Sequence, residues 1–177
     1  MKGKVSLSTR IALLAAVAFV LQFFEFSLPI PLIPTFLKLD ASDIPAVFAV
    51  MTTGGISGII VQLIKNILHS IFFGWSGGLG ELSNLIVGAG LVLPYLLAKT
   101  KSMSLFSVVI SGLISIPAVC IAAFASNSLI TPIYLGVTLD VVMGLMPGII
   151  LFNVFKAVFV LVLVLILRKP MIRMAKR

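Results

Sequence analysis

Long stretches of this chain carry no charged side chain. Residues 44–64, 82–98 and 102–139 contain no aspartate, glutamate, lysine or arginine. About 20 consecutive apolar residues are enough for a helix to cross the hydrocarbon core of a bilayer. A charge placed inside such a helix is costly, so natural membrane spans largely avoid it. The pattern predicts an all-α integral membrane protein.

The composition supports this fold class and limits the functions that the chain can have. Of the 177 residues, 60% are hydrophobic and 10% are charged, against about 25% charged in an average soluble domain. We expect one compact domain over residues 1–177. The net charge of +8 suggests a nucleic-acid partner, but the basic residues cluster at the ends of apolar segments, where charge sets membrane topology instead.

The sequence lacks the motifs that usually indicate several kinds of chemistry. Cys120 is the single cysteine, which excludes an internal disulfide and a cysteine-based metal site. The chain has no P-loop motif for ATP, no histidine–cysteine cluster and no pair of carboxylates placed for acid–base catalysis. We therefore expect no enzyme activity, no catalytic residue, no metal site and no cofactor.

Six helical spans account best for the apolar segments. They are predicted at residues 11–28, 44–53, 54–73, 79–98, 105–125 and 147–167. Residues 44–73 as one helix would be about 45 Å long, too long for a bilayer core without strong tilt. The dipeptide Gly54-Gly55 offers a break in the middle of that segment. A break there makes the second helix short, so it must extend from a structured loop to cross the bilayer.

The distribution of basic residues supports an even number of spans. Lysine and arginine are enriched in cytoplasmic segments of membrane proteins. With six helices, three basic groups face the cytoplasm together. They are Lys2, Lys4 and Arg10; Lys99 and Lys101; and Arg168, Lys169, Arg173, Lys176 and Arg177. Both termini are then cytoplasmic, the carboxylates lie near the outer side, and the protein is a multi-pass protein of the cell membrane.

Three lysines, Lys38, Lys65 and Lys156, are not explained by topology. An ionisable residue inside a span indicates function by default. Asn153 and Lys156 are three residues apart and share one face of the last helix. If that helix begins near Pro147, they lie about 7 and 12 Å along it, within reach of a cavity open to the outside. Alternatively, Lys156 pairs with Glu81 and holds two helices together.

The segment between the first two helices resembles a stiff lid or pocket wall. Residues 29–40 are mostly apolar and contain three prolines, each of which restricts the backbone. Next along the chain, Ser42 is a plausible N-cap, and Asp43 is placed to favour the positive end of the following helix dipole. Snorkelling to the interface explains Lys65 adequately.

Smaller residues form two ridges that allow close helix approach. Ala12 and Ala16 form one ridge, and Gly54 and Gly58 form the other. Each ridge could contact a partner protein or serve packing inside the bundle, and the sequence leaves both open. Elsewhere, Glu81 and Asn84 share a face of the fourth helix and are expected to point into the bundle.

Four sequence segments resemble a known family, the substrate-binding S components of energy-coupling factor (ECF) vitamin transporters, and among them the riboflavin-specific type. The segments are FLKLDASDIPA at 36–46, GGISGIIVQLIKNILH at 54–69, GELSN at 80–84 and NVFK at 153–156. The resemblance implies a six-helix protein that captures riboflavin or its phosphate ester FMN from outside, beneath the loop between helices 1 and 2.

The resemblance also implies partners and site residues. Proteins of this family associate with a transmembrane coupling subunit (EcfT) and two ATPase subunits (EcfA-type), and release the vitamin by toppling in the membrane. It implies that Ala12 and Ala16 contact the coupling subunit, and that Asn127, expected in the outer loop before the last helix, belongs to the pocket. The candidate ligand-binding set is Phe36, Leu37, Lys38, Leu39, Asp40, Glu81, Asn84, Asn127, Asn153 and Lys156.

Three other functions remain open from the sequence. The chain could bind a different vitamin as an S component. It could instead be a self-sufficient permease that uses Lys156 and Glu81 as a coupling pair, although no inverted repeat is evident. A small intramembrane enzyme is the third alternative, and no nucleophile–base or metal constellation supports it.

Overall fold

A computed structural model describes residues 6–73, 77–99 and 103–175 of the chain. Lys2, Lys4, Lys101, Lys176 and Arg177, on which the predicted orientation partly depends, lie outside the described residues.

The described residues form six α-helices, one short 3-10 helix and two very short strands. In chain order they are α1 (Leu7–Gln22), β1 (Phe26–Ser27), β2 (Lys38–Leu39), α2 (Asp43–Thr52), α3 (Gly55–Phe73), α4 (Leu79–Val92), the 3-10 helix (Leu93–Ala98), α5 (Leu105–Leu135) and α6 (Leu139–Ala175). The predicted count of six helices is confirmed. Gly54 has a φ of 129°, a conformation that favours glycine, and it separates α2 from α3 at the predicted break.

Within the described residues, four helical segments are long and apolar enough to span a membrane. They are Gly55–Phe73, Leu79–Ala98, Leu105–Leu135 and Leu139–Ala175. The other two, α1 and α2, have 16 and 10 residues. At 1.5 Å per residue α2 is about 15 Å long, so it spans only part of a bilayer core by itself.

The last two helices are longer than predicted, and the expected loop over residues 126–146 is wrong. The helix α5 continues to Leu135 and ends where Gly136 adopts a left-handed conformation, while α6 begins at Leu139. Pro132 and Pro147 lie inside these helices rather than at their ends. Helices buried in protein and lipid tolerate internal prolines because neighbouring groups satisfy the freed backbone carbonyls.

The short helix α2 occupies the centre of the bundle. Consecutive neighbours along the series α1, α3, α4, α5 and α6 pack against each other, and α2 packs against α1, α3, α4 and α6. Ala46, Val47, Ala49 and Val50 are all completely buried. A helix that is apolar on every side is stable only when it is surrounded. This explains why the shortest helix carries so much of the core.

The two ridges of small residues have different surroundings. Gly58 lies directly against Ala46 and Val50 of α2, and a side chain at this position would collide with them. This glycine therefore serves packing inside the bundle. On α1, Ala15 and Ala18 are buried, whereas Ala12 and Ala16 are exposed. The alternative in which Ala12 and Ala16 pack inside the bundle is wrong.

The up-and-down course of the helices separates acidic from basic residues. One end of the bundle, here called the acidic end, holds the end of α1 and the start of α2; its carboxylates are Glu25, Asp40, Asp43, Glu81 and Asp140. At the opposite, basic end, Lys99 donates a hydrogen bond to the Thr53 carbonyl (2.9 Å). Arg168 donates one to the Met103 carbonyl (2.6 Å).

The segment between α1 and α2 is anchored on α6. Strands β1 and β2 pair antiparallel, with Phe26 opposite Leu39. Ile33 and Leu39 form a small apolar cluster with Phe152 of α6. The carbonyl of Leu32 lies so close to Gly148 that any Cβ there would collide with it. The loop therefore rests on α6 about one helical turn from Phe152.

Candidate ligand-binding site

A cavity of about 150 Å³ lies at the acidic end of the bundle. Its walls come from α1, the loop before α2, and helices α3, α4, α5 and α6. The lining residues are Gln22, Glu25, Phe36, Leu37, Lys38, Asp40, His69, Gly80, Glu81, Ser83, Asn84, Val87, Asn127, Tyr134, Phe152, Asn153 and Lys156.

The fold brings almost all of the candidate ligand-binding residues to this one cavity. Phe36, Leu37, Lys38, Asp40, Glu81, Asn84, Asn127, Asn153 and Lys156 all line it. Leu39 does not. It follows Lys38 in strand β2, and successive side chains of a strand point to opposite sides. Leu39 is buried and packs against Ile33 and Phe152 instead.

Asn153 presents an unsatisfied acceptor at the cavity. It is 2% exposed, and its Nδ2 donates to the Ile149 carbonyl of the preceding helical turn (2.8 Å). Its Oδ1 is buried and has no hydrogen-bond partner among the described residues. Buried polar atoms are nearly always paired in proteins, so this oxygen is positioned for a donor supplied by a ligand.

Lys156 is held beside Asn153 by a carboxylate of α2. Its Nζ lies 3.0 Å from Asp43 Oδ2 and 3.3 Å from Asn84 Oδ1. The expected alternative, a link from Lys156 to Glu81, is wrong, because Glu81 is paired with His69 (3.1 Å). The predicted distances of Asn153 and Lys156 from the start of the last helix also change. Asn153 and Lys156 lie 14 and 17 residues beyond Leu139, or about 21 and 26 Å along α6.

Asp43 is the centre of a buried charge cluster. Its Oδ1 accepts hydrogen bonds from Lys65 (2.6 Å) and from Gln62 (2.8 Å), while its Oδ2 faces Lys156. Lys65 also donates to Ser42 Oγ (2.6 Å). The side chains of Lys65 and Asp43 are completely buried. One carboxylate is therefore shared by two ammonium groups, and a buried charge is tolerated only when paired in this way.

Three interpretations of these residues from sequence need correction. Lys65 does not snorkel to an interface but points into the bundle. Asp43 does more than interact with the helix dipole, because it joins α2 to α3 and α6. Ser42 makes no side-chain cap to α2, and its hydroxyl accepts from Lys65 instead.

A second group of charges surrounds the cavity nearer the end of the bundle. Lys38 is paired with Glu25, which joins strand β2 to the residues that follow α1. Glu25 also lies 4.0 Å from Nε2 of His69, whose Nδ1 is 3.1 Å from Glu81. The four side chains form a chain of alternating partners that links the segment between α1 and α2 to α3 and α4.

Two asparagines complete the polar lining. Asn84 accepts from Lys156 and donates to Asn66 Oδ1 (3.0 Å), so its amide orientation is set on both sides. Asn127 is not in a loop: it lies in α5, is 4% exposed, donates to the Ala123 carbonyl and accepts from Thr131. Its position inside α5 follows from the helix continuing past Ala125.

Some lining residues escaped the sequence analysis. They are Gln22, Glu25, His69, Gly80, Ser83, Val87, Tyr134 and Phe152. Gln22 carried a usable signal, since it is the sole side-chain amide in α1 and the same reasoning identified Asn153. Tyr134 and Phe152 resemble ordinary apolar helix residues, and only their packing, including the edge-on contact of Phe36 with Tyr134, assigns them to the cavity.

The lining of the cavity is of the kind found in pockets for organic ligands. Over residues 6–73, 77–99 and 103–175, no group of three or more histidine, cysteine or acidic side chains is arranged to hold a metal ion. The lining combines aromatic and aliphatic walls with amide and charged groups, as small-molecule pockets do.

Known proteins provide an independent comparison. The model of the protein family described as “ECF transporter, substrate-specific component” matches residues 7–168. The chain is 31% identical over 176 residues to the riboflavin transporter RibU of Staphylococcus aureus (strain TCH60), covering 94% of this chain and 90% of that protein. It is 32% identical over 169 residues to the riboflavin transporter FmnP of Bacillus subtilis (strain 168), covering 85% and 88%.

A solved structure agrees in fold. The structure described as “Structure and mechanism of the S component of a bacterial ECF transporter” superimposes with a TM-score of 0.73 at 30% sequence identity. The alignment covers 97% of this chain and 98% of that chain.

Proposed function

The chain belongs to the substrate-specific component family of ECF transporters, and from this premise we propose that it binds riboflavin at the cavity and supplies it for uptake into the cell. The relatives that are 31% and 32% identical are named as riboflavin transporters, and they are aligned over most of both chains. We propose that the vitamin enters from outside the cell and is carried as a substrate rather than as a cofactor.

The observation that carries this proposal is the paired acceptor and donor on α6. Asn153 offers an unpaired oxygen, and Lys156 offers an ammonium group, three residues apart on the same helix face. The ring system of riboflavin has an imide N–H flanked by carbonyl oxygens. An N–H needs an acceptor and a carbonyl needs a donor, so the two side chains complement this edge.

The apolar part of the lining fits the flat ring. Phe36, Tyr134, Val87 and Phe152 supply aromatic and aliphatic surface around the polar groups. The cavity volume of about 150 Å³ is smaller than the roughly 300–1,000 Å³ typical of pockets for drug-sized ligands. We infer that the loop carrying Phe36 and Leu37 moves outward when riboflavin enters.

The charges around the cavity favour riboflavin over its phosphate ester. Both lysines that line the cavity are paired with carboxylates, Lys38 with Glu25 and Lys156 with Asp43. A phosphate adds about 1.5 to 2 negative charges at neutral pH. It would meet the carboxylates of Asp40 and Glu81 as well. We propose that the neutral vitamin is the preferred ligand.

The family also implies partners and an orientation. We propose that the protein works with the coupling subunit EcfT and two EcfA-type ATPases in the plasma membrane, with both termini in the cytoplasm. Support comes from the exposed Ala12 and Ala16 on α1, a surface that allows close helix approach. Further support is the position of Arg10, Lys99 and Arg168 at one end of the bundle, because basic residues favour the cytoplasmic side.

The direct test is flavin binding by the purified protein in detergent. Titration of riboflavin, followed by quenching of its fluorescence, should give saturable one-to-one binding, and FMN should bind at least about tenfold more weakly. Asn153→Leu should weaken riboflavin binding by about tenfold or more, because the buried acceptor is lost. Phe155→Leu, an exposed position two residues away on α6, is the matched control.

Three results would contradict parts of this proposal. A protein that neither retains nor binds any flavin would rule out the riboflavin assignment. Unchanged affinity in Asn153→Leu would remove that residue from the site. Equal or tighter binding of FMN would show that the carboxylates do not determine the choice of ligand.

A further inference from the structure

Gln22, at the end of α1, has an amide oxygen without a hydrogen-bond partner among the described residues. The residue is 3% exposed and lines the cavity. Its Oε1 is buried and makes no hydrogen bond to any part of the chain that the structure describes. Buried side-chain oxygens are satisfied in the large majority of cases, so this exception needs an explanation.

The surroundings of Gln22 repeat the arrangement found on α6. Gln22 is the last residue of α1 and Glu25 follows it by three residues, the same sequence spacing as between Asn153 and Lys156 within α6, and all four line the cavity. In each pair the charged member is engaged, Glu25 by Lys38 and Lys156 by Asp43. In each pair the amide oxygen remains open. Two buried acceptors among the described residues that line the cavity are therefore unsatisfied.

The two amides approach the cavity from different walls. The helix α2 packs against both α1 and α6 and lies between them. A ligand whose imide edge is bound by Asn153 and Lys156 therefore leaves a different part of itself for Gln22. In riboflavin the donors that remain are the hydroxyl groups of the sugar-alcohol chain.

The neighbouring charges define which chemical group suits Gln22. An amide oxygen accepts a hydrogen bond, so the ligand group must be a donor. Glu25, three residues beyond Gln22, and Glu81 of α4 both line the cavity, and their carboxylates disfavour an anion. A neutral hydroxyl satisfies both conditions.

From these observations we propose that Gln22 is a second ligand-binding amide, which accepts a hydrogen bond from a hydroxyl of the ligand's polyol chain. This inference rests on the proposed function, because it takes riboflavin as the ligand. It assigns to α1 a role in substrate selection that is separate from the exposed alanine ridge on the same helix.

The test compares two flavins that differ only in the chain. Lumiflavin has the same ring system as riboflavin with a methyl group in place of the polyol chain. Gln22→Met keeps the approximate length of the side chain and removes the acceptor. We expect riboflavin to bind about tenfold more weakly and lumiflavin to stay within about twofold of the wild-type dissociation constant.

Two further variants make the comparison specific. Asn153→Leu should weaken both flavins, because they share the imide edge. Ser111→Ala removes a completely buried hydroxyl of α5 that bonds to the Ser107 carbonyl and does not line the cavity, and it should change neither affinity. Gln22→Asn keeps a buried amide, in case the methionine variant fails to fold, but withdraws its oxygen by one methylene. This variant should also weaken riboflavin binding while lumiflavin binding stays close to that of the wild type.

The possible results are distinct. Wild-type riboflavin affinity in both Gln22 variants would overturn the inference, and so would an equal loss for riboflavin and lumiflavin, which would place Gln22 against the ring. Wild-type protein that binds neither flavin would overturn the proposed function itself, and the inference with it.

Discussion

At the scale of single residues, Asp43 is the side chain whose burial depends most on its partners. It is completely buried between two ammonium groups, Lys65 and Lys156, that belong to different helices. Removing one partner of a buried ion pair typically costs about 3–5 kcal/mol, because the other charge remains desolvated and unpaired. Here a single carboxylate serves two such partners.

We expect Asp43→Asn to be strongly destabilising, by about 3–5 kcal/mol or more, because two buried lysines would face each other without an anion. The double variant Asp43→Asn/Lys65→Met should recover part of the loss, since it removes one of the unpaired charges. Thermal unfolding in detergent, followed by circular dichroism, measures both effects.

The control that completes this double-mutant cycle is Lys65→Met alone. It leaves one buried carboxylate, Asp43, paired with one ammonium group, Lys156. Strictly additive losses in the double variant would show that Asp43 and Lys65 do not depend on each other.

At the scale of elements, the loop between α1 and α2 depends on a glycine in α6. The Leu32 carbonyl lies against Gly148, whereas a Cβ added at Gly144, one turn earlier on the same helix, would meet no atom of the described residues within 4 Å. One helical turn further along α6, Phe152 forms an apolar cluster with Ile33 and Leu39 of the loop. The contact at Gly148 therefore positions the loop that carries Phe36 and Leu37 over the cavity.

Substituting Gly148 with alanine should displace the loop and weaken riboflavin binding several-fold, while α6 itself stays intact. Gly144→Ala should leave the affinity unchanged, because the added methyl group enters open space. Equilibrium titration of both variants, with circular dichroism to check helix content, makes the comparison. Equal affinities in the two variants would exclude this role for Gly148.

The helix α1 has two faces with different surroundings. Ala15 and Ala18 are buried in the bundle, while Ala12 and Ala16 are exposed. The double variant Ala12→Trp/Ala16→Trp should therefore abolish co-purification with the coupling subunit while riboflavin binding stays within about twofold, as for ordinary surface substitutions. Ile121→Trp, an exposed position on α5, controls for the bulk of tryptophan. Retained assembly in the alanine variant would contradict the proposed interface.

At the scale of the whole molecule, the proposed ligand site lies at one end of the bundle. The cavity lies at the acidic end, and the core of α2 with its surrounding helices separates it from the basic end. This arrangement suits capture from one side. Under the proposed function, a partner then reorients or opens the subunit for transport.

Proteoliposomes that contain this protein alone should bind riboflavin without accumulating it, with or without ATP inside. Adding the coupling subunit and the ATPases should give ATP-dependent uptake. Flux down a riboflavin gradient through the isolated protein would instead support the self-sufficient permease. The measurement is retained radioactive riboflavin after filtration, with protein-free liposomes as the blank.

Much of the fold and of the candidate site could be predicted from the sequence. A bilayer restricts where charged and polar residues can lie, and this restriction is visible in the sequence. Charge-free segments predicted six helices, since a bilayer penalises charge inside a span, and Gly54 marked the break between α2 and α3. Isolated polar residues stood out for the same reason. Asn153 and Lys156 were visible as a pair because helical spacing alone places them on one face.

The tertiary structure decided which groups meet. Lys156 is paired with Asp43 rather than Glu81, and Lys65 is buried rather than at an interface, because the central position of α2 places its first residue between α3 and α6. Asn127 joined the lining because α5 continues through residues expected to be a loop. Gln22 acquired its candidate role from an amide left unpaired by packing. Spacing along one helix is local, whereas partners of buried charges depend on which helices pack together, and that is a property of the whole bundle.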